Sequence, residues 1–225
     1  MDELLYQANK YMFFNFEKEK LNTLVQNNTP QINKEQVEKG VFHINQKDKL
    51  FWCYFILRYG LESYNLIDKH FFKIEKKEKE KCIHFLEENK GKIKQRKLKF
   101  NTNDLLYDSC ISIEMFFSLC CAANINVVLI QKNTFFKLID NSERDIKYIY
   151  KDDKLGYGIK QNKIEDLSKT HIESVTLTKH VKGLSAYRIA EIQQMCHILN
   201  IKTRTEHGKP ITKIELYNKI IKCIN

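Results

Sequence analysis

The residues with the clearest chemical potential lie near the end of the chain, where basic side chains flank a predicted helix start. Thr212 followed by Glu215 is a capping-box pattern, in which the hydroxyl and the carboxylate each satisfy a free backbone donor. The remaining unpaired amides of such a helix start can bind a phosphate. Thr212 and Lys213 would flank that phosphate, and Lys209 and Arg204 would add charged contacts to the backbone of a nucleic acid.

Two helices must position these groups. Ser185 is predicted to cap the first helix, whose buried face would hold Ile189, Ile192, Met195, Cys196 and Leu199. The second helix follows Thr212 and has an apolar stripe of Leu216, Ile220 and Ile221. An extended stretch over residues 201–211 joins them. Arg188 and Lys202 are further candidate phosphate contacts, although either could be an ordinary solvated side chain.

The spacing of this segment resembles the SAP domain, which is a helix-extension-helix module of nuclear and viral proteins. The residues that carry the resemblance are Leu184, Ile189, Glu191, Ile192, Met195, Ile201, Gly208, Lys209, Thr212, Lys213, Glu215, Leu216 and Ile220. The resemblance covers residues 183–225 and implies binding to double-stranded DNA, commonly AT-rich, through the second helix start and the preceding loop. Asn200 stands where the family usually has Gly, and the loop over residues 202–207 is longer than usual.

The net charge of +10 is concentrated in two segments. Residues 69–100 carry +7 and residues 183–225 carry +4, whereas the rest of the chain is close to neutral. Clustered charge attracts polyanions more strongly than dispersed charge does. A second basic track is therefore predicted at Lys92, Lys94, Arg96 and Lys97. The alternative is a solvated helix face whose lysines reflect an AT-rich genome.

The larger part of the chain has a different resemblance. In residues 46–160, the order of elements is similar to that of OTU-like and papain-like cysteine peptidases: an apolar helix containing KLFWCYFIL, a later helix IEMFFSLCCAA, and the strand INVVLI. This resemblance implies that Cys53 opens a buried helix and supplies a nucleophilic thiol. The strand that should carry the catalytic histidine reads LGYGIK, and His171 is the only nearby substitute. An inactive relative, or a coincidence of order, is favoured over a working peptidase.

These observations predict an α+β chain of two domains. Residues 1–182 would form a mostly helical domain with a small β-sheet, possibly a degenerate OTU/papain-like fold, beginning with a helix over residues 2–25. Residues 183–225 would form the helix-extension-helix domain. Short strands are predicted at residues 135–139, 146–150, 155–159 and 172–177, and a helix break is predicted near residues 89–91.

The predicted function is non-enzymatic DNA binding, with the larger domain as a scaffold or as a recruiter of a protein partner. The alternatives are a DNA-tethered cysteine peptidase and a protein-interaction adaptor. No cofactor or membrane contact is predicted, and the spacings of His84 with Cys82 and of His43 with Cys53 do not resemble a zinc site. The abundance of Lys, Asn and Ile resembles proteins of large DNA viruses, which implies an intracellular location in a virion, a viral factory or the nucleus.

Overall fold

The computed structural model describes residues 37–38, 40–141, 143–160 and 166–224. The helix predicted over residues 2–25 lies outside the described residues. The α-helices of the described part are α1 Lys49–Tyr59, α2 Leu61–Asn65, α3 Phe71–Glu88, α4 Lys90–Gln95, α5 Asn103–Leu106, α6 Ile113–Ala122, α7 Ile189–Ile198 and α8 Lys213–Ile224. None of them has both the length and the apolar content that crossing a lipid bilayer requires.

A mixed sheet accompanies these helices. Its strands are β1 Val37–Glu38, β2 Val41–His43, β3 Asn126–Gln131, β4 Thr134–Leu138, β5 Ile146–Asp152, β6 Gly156–Lys160 and β7 Ile172–Glu173. Their spatial order is β1-β2-β6-β5-β3-β4-β7, with β3 parallel to β5, β4 parallel to β7, and the other neighbours antiparallel. The prediction of mixed helix and strand is confirmed.

The sheet is larger than predicted and its last strand is shorter. The predicted strand over residues 172–177 ends at Glu173, because the chain then folds into a turn closed by a hydrogen bond from the Val175 amide to the His180 carbonyl. Strands β1 and β2 were not predicted from the sequence. The predicted helix break is confirmed, since α3 ends at Glu88 and the Asn89 side chain donates to the Phe85 carbonyl at 2.8 Å.

Both faces of strand β3 are buried, which explains its unbroken apolar sequence. Val127 and Leu129 belong to the main core, together with buried residues of α1 and α6 such as Trp52 and Phe116. Val128 and Ile130 lie in a separate cluster with Phe135 and Tyr148. Helices α1 and α6 are therefore central, as their apolar sequences predicted.

A buried ionic network fixes the start of α1. The Lys79 ammonium of α3 lies 2.6 Å from Asp48 Oδ2 and 2.9 Å from Glu75 Oε1, and both Asp48 and Lys79 are buried. Asp48 also caps α1, because its carboxylate accepts the Phe51 amide at 3.2 Å and the Ile111 amide at 3.0 Å. This one carboxylate thus connects α1, α3 and the segment before α6.

The protonation of this network depends on burial and on its partners. Burial raises the pKa of Asp48, and Lys79 and the two amides only partly oppose that effect. Burial works to lower the pKa of Lys79, but the hydrogen bonds to Asp48 and Glu75 outweigh it, so that this pKa is raised. Lys79 therefore stays protonated at neutral pH.

Candidate nucleic-acid interface

Helix α7 begins later than the sequence predicted. Ser185 lies in a short 3-10 turn, Leu184–Ala186, and the helix starts at Ile189. The prediction of Ser185 as the cap is therefore wrong. The backbone amide of Arg188, which precedes the helix, donates instead to the Glu191 carboxylate. The Arg188 side chain remains exposed.

The end of α7 explains the residue that departs from the SAP pattern. Asn200 has a φ of 55°, and the Ile201 amide donates to the Cys196 carbonyl at 2.7 Å. A left-handed residue followed by this long backward hydrogen bond is a Schellman ending, a position that Gly usually occupies. Asn tolerates the left-handed region better than other non-glycine residues do. Asn200 thus performs the conformational role expected of a glycine at this site.

Substitution of Asn200 tests this interpretation. We expect Asn200→Ala to lower the free energy of unfolding by about 1 kcal/mol, since a β-carbon in the left-handed region is strained. Asn200→Gly removes the strain and should be neutral or stabilising. Urea denaturation followed by circular dichroism measures both variants. Equal stability of the two would contradict the conformational role.

The connection between α7 and α8 contains a small hairpin. Arg204 and Pro210 form an isolated bridge, the Thr205 amide donates to the Lys209 carbonyl at 2.9 Å, and the Ile211 amide donates to the Thr203 carbonyl at 3.0 Å. The Arg204 guanidinium donates to the Gly208 carbonyl at 3.1 Å. The segment that was predicted as extended therefore turns back on itself and presents its tip to solvent.

The start of α8 has the predicted capping box. The Thr212 amide donates to Glu215 Oε2 at 3.2 Å, and the Glu215 amide donates to Thr212 Oγ1 at 3.4 Å. Thr212 is exposed, and helix geometry leaves the Lys213 and Ile214 amides without an intrahelical acceptor. Hydrogen bonds from Thr212 lower the pKa of Glu215, so that its carboxylate stays charged. A phosphate at this helix start must therefore lie on the side away from Glu215.

Four of the predicted DNA contacts lie on the connection between α7 and α8 and at the start of α8. Lys202, Arg204 and Lys209 are exposed and Lys213 is half-exposed. Within the described residues, none of them lies within 4.0 Å of a carboxylate, in contrast to Lys81 and Lys90, which have ion pairs within α3 and between α3 and α4. The α7–α8 connection and the α8 start thus carry cations without a carboxylate partner in the described residues, of which Arg204 also donates to the Gly208 carbonyl.

The opposite end of α8 is attached to the sheet. The Asn133 side chain, in the turn between β3 and β4, donates to the Cys223 carbonyl at 3.1 Å. The Tyr217 hydroxyl donates to the Lys182 carbonyl at 2.7 Å. Ile172 of β7 and Val181 belong to the same buried cluster as the inner faces of α7 and α8, and those faces contribute Ile192, Cys196, Leu216, Ile220 and Ile224. The attachment therefore follows the buried face of α8 from Leu216 to Ile224, whereas Thr212 and Ile214 at its start are exposed.

The structure contradicts the proposed nucleophile. Cys53 does not open α1 but lies in its second turn, with none of its surface exposed. Burial raises the pKa of the Cys53 thiol far above its usual range, and the nearby Asp48 raises it further. The residue that opens the helix is Lys49, whose ammonium donates to the Ile44 carbonyl at 2.7 Å. A buried neutral thiol is not a nucleophile.

The proposed base is also far from this thiol. His171 immediately precedes β7 at one edge of the sheet, whereas α1 packs on β6. Strands β5, β3 and β4 separate β6 from β7, which corresponds to roughly 19 Å at the usual strand spacing. His171 Nδ1 lies instead 2.8 Å from its neighbour Thr170 Oγ1. The pairing of Cys53 with His171 is therefore wrong.

Thiol alkylation distinguishes a core cysteine from a catalytic one. We expect iodoacetamide at pH 8 to modify the exposed Cys110 of the folded chain and to modify Cys53 at least about 100-fold more slowly, because the latter is buried and protonated. Peptide mass spectrometry measures both rates. Comparable rates, or labelling of Cys53 by a ubiquitin-type activity probe, would restore the peptidase hypothesis.

Half of the second basic track is engaged within the protein. The Lys92 ammonium lies 2.8 Å from Asp140 Oδ2 and donates to the Cys121 carbonyl at 2.8 Å, and the Arg96 guanidinium contacts the same Asp140. Hydrogen bonds from Lys92 hold the pKa of Asp140 below its usual value, with a smaller contribution from Arg96. Of the four residues of the predicted track, Lys94 and Lys97 are exposed without such a partner among the described residues, whereas Lys92 and Arg96 have Asp140 as theirs.

Paired substitutions separate these two roles. Lys92→Gln with Arg96→Gln should lower the free energy of unfolding by about 1–2 kcal/mol, since α4 then loses its ion pairs and a hydrogen bond to the end of α6. Lys94→Gln with Lys97→Gln removes the same charge and should change stability by less than about 0.5 kcal/mol. Urea denaturation compares the two double variants. If the Lys94 and Lys97 variant lost more stability than the Lys92 and Arg96 variant, Lys92 and Arg96 would instead be assigned to the solvated basic track.

Sequence reasoning missed one prominent residue of this surface. Ile214, in the first turn of α8, is 60% exposed beside Lys213. Its position is detectable in the sequence. At 100° of rotation per helical residue, residue 214 lies roughly 160° around the helix axis from Leu216, which begins the apolar stripe. The described residues contain no group of three His, Cys, Asp or Glu side chains arranged to hold a metal ion.

Comparison with known proteins adds no relative. No protein family, curated protein or solved structure matches this chain.

Proposed function

We propose that this chain is a non-enzymatic DNA-binding protein that contacts the duplex backbone through residues 183–224. The observation that carries the proposal is the grouping of four cations on the α7–α8 connection and at the α8 start. Lys202, Arg204 and Lys209 are exposed and Lys213 is half-exposed, and none has a carboxylate within 4.0 Å in the described residues. Arg188, exposed at the start of α7, is proposed as a further phosphate contact. The phosphates of a duplex backbone are regularly spaced, so several separate cations can each contact one of them.

The SAP resemblance supports the same function. Two features agree with such a module: the order of two short helices joined by one connection, and the capping box at the start of the second helix at Thr212. The hairpin over residues 203–211 contains most of the long loop over residues 202–207 noted in the sequence. Because the cations face phosphates rather than base edges in this proposal, sequence preference should be slight, with AT-rich duplexes favoured only through their shape.

The larger domain is proposed to be a scaffold or a recruiter of a protein partner. Peptidase chemistry is not proposed, because the Cys53 thiol is buried and the His171 imidazole is distant from it. A DNA-binding role places the protein in the nucleus, a viral factory or a virion. An adaptor that uses the same surface for an acidic protein is the competing outcome of the test below.

Binding of the full chain to a fluorescent 20-base-pair duplex tests the proposal. With about four phosphates neutralised, log affinity should fall against log salt with a slope of about −3.6, which is roughly a 150-fold loss between 50 and 200 mM NaCl. AT-rich and GC-rich duplexes should differ little, and heparin should compete. Anisotropy measures the affinity. Absence of binding at 50 mM NaCl would contradict the proposal and favour the adaptor.

A further inference from the structure

A row of polar side chains crosses the sheet just beyond the main core. Cross-strand pairing places the members of this polar row side by side on β4, β3, β5 and β6, in the order Thr134, Gln131, Lys151 and Tyr157. Two residues away along the same strands, and therefore on the same face, lie Phe136, Leu129, Ile149 and Ile159, which belong to the main core or pack against it. The polar row thus forms the margin of the helix-covered face of the sheet.

Lys151 is the cation of the polar row, and it has no acidic partner. Its ammonium lies 5.7 Å from the centre of the Tyr157 ring, and no carboxylate of the described residues lies within 4.0 Å of it. Asp152, the next residue, belongs to the opposite face of the strand, and its carboxylate accepts the amides of Lys154 and Leu155 at 2.7 and 2.8 Å. In the part of the chain that the structure describes, the N–H donors of Lys151 therefore have no acceptor.

The His180 ring lies over the β4 end of the polar row. Its Nδ1 is 2.9 Å from Ser174 Oγ and 3.5 Å from Thr134 Oγ1. Burial, together with the charge of Lys151, lowers the pKa of His180, so the ring is neutral at pH 7.5. The Thr134 hydroxyl already donates to the Gln131 carbonyl at 3.0 Å. When the Ser174 hydroxyl donates to Nδ1, the ring proton lies on Nε2, which has no hydrogen-bond partner in the described residues.

Gln131 and Tyr157 flank Lys151 at roughly 5 Å on either side, which is the usual spacing of neighbouring strands. Both side chains are half-buried, and neither has a hydrogen-bond partner among the residues that the structure describes. Burial raises the pKa of Tyr157, with smaller contributions from Cys53 and Glu114, so the hydroxyl keeps its proton at neutral pH. The amide and the hydroxyl are therefore unused donors on the two sides of the ammonium.

We propose that the polar row, together with His180, binds the phosphate group of a small phosphate monoester. The Lys151 ammonium supplies the charge, and the Gln131 amide, the Tyr157 hydroxyl and the His180 Nε2 supply hydrogen bonds from different sides. A phosphate monoester has a charge of nearly −2 and three strong acceptor oxygens, so it can accept from all of these donors, whereas a carboxylate has only two oxygens. The proposal does not depend on DNA binding, because none of these residues belongs to the cations around the α8 start.

Nuclear magnetic resonance of the full chain tests this site. The chain is labelled with nitrogen-15 and titrated at pH 7.5 with methyl phosphate, while sodium chloride keeps the ionic strength constant. We expect saturable shifts at the amides of Gln131, Lys151 and Tyr157, whereas sodium acetate at the same concentrations should cause no saturable shift there. Shifts that do not saturate with methyl phosphate, or that acetate reproduces, would overturn the proposal.

Two variants assign the binding to particular side chains. Lys151→Gln should weaken methyl phosphate binding by at least about 10-fold and Tyr157→Phe by about 3- to 10-fold, because each removes one donor to the phosphate. Lys154→Gln, which removes an exposed lysine from the turn between β5 and β6, is the matched control and should bind as the unmodified chain does. Equal losses in the two lysine variants would indicate attraction by net charge alone and would contradict the site. Tyr157→Phe keeps the ring, so it tests the proposal even if Lys151→Gln does not fold, and unchanged affinity in it would also contradict the site.

Discussion

Replacement of Lys79 by methionine is expected to lower the free energy of unfolding by about 3–5 kcal/mol, which is a large part of the stability of a domain this size. Methionine keeps the length and the apolar stem of lysine but removes the ammonium that lies 2.6 Å from Asp48. The Asp48 carboxylate then remains buried with two amide donors and no cation. The structural reason for the loss is therefore an uncompensated buried charge rather than a cavity.

The pH dependence of this variant identifies the cause. Asp48 already has a raised pKa in the folded state, and removal of Lys79 deletes the interactions that oppose that rise. A carboxyl group with a raised folded pKa favours the folded state below its unfolded pKa of about 3.9, and that contribution is lost as the pH rises. The destabilisation by Lys79→Met should accordingly be smaller at pH 5 than at pH 7. Urea denaturation at both values measures it.

Two comparisons complete this experiment. Lys81→Met on the same helix removes an exposed lysine that pairs with Glu78, and it should change stability by less than about 1 kcal/mol. Asp48→Asn combined with Lys79→Met removes both charges and should recover part of the loss. If Lys79→Met were as stable as Lys81→Met at pH 7, the buried network would not stabilise the start of α1.

Neutralisation of the α8-start cations should weaken DNA binding by about 100- to 1,000-fold at 0.1 M salt. The variant replaces Lys202, Arg204, Lys209 and Lys213 with glutamine. Each lost phosphate contact reduces the slope of log affinity against log salt by about 0.9, so that four contacts remove nearly all of the expected slope. Because these side chains are solvent-accessible, the fold should be unchanged, which circular dichroism can verify.

The control removes the same number of charges elsewhere. Lys69, Lys73, Lys76 and Lys77 are exposed and lie just before or within α3, and their substitution by glutamine should leave the slope nearly unchanged. A loss of affinity that is equal in both variants would indicate general attraction by the net charge. That result would contradict a localised interface on the C-terminal helices.

Local patterns predicted local structure well. The Thr212 and Glu215 spacing specified a capping box because both partners lie within one helical turn, and the break near Asn89 was predictable for the same reason. The unusual Asn200 was visible in the sequence. Its left-handed backbone conformation could be seen only in the structure, because no neighbouring residue specifies a positive φ.

Contacts between distant residues could not be predicted in this way. Arg96 meets Asp140 across 44 residues of sequence, and charge counting cannot separate such a paired arginine from a free one. Cys53 was assigned as a nucleophile from the order of elements alone, which cannot show that its thiol is buried inside α1. The Asp48 cap of that helix likewise includes a contact with the distant Ile111 amide. The site residues that depended on tertiary partners were therefore the ones that failed.

The C-terminal helix pair shares one apolar cluster with Ile172 and Val181 of the sheet side. This sharing limits whether the pair can be transferred to another protein, by evolution or by engineering. If residues 183–225 were transferred to another protein, they would lose their contacts with Ile172 and Val181, and the side chains of Ile192 and Leu216 would become exposed to water. Such a graft would need substitute apolar residues from its new neighbour. The helix pair therefore depends on apolar contacts with this particular sheet edge and is not an independent, transferable domain.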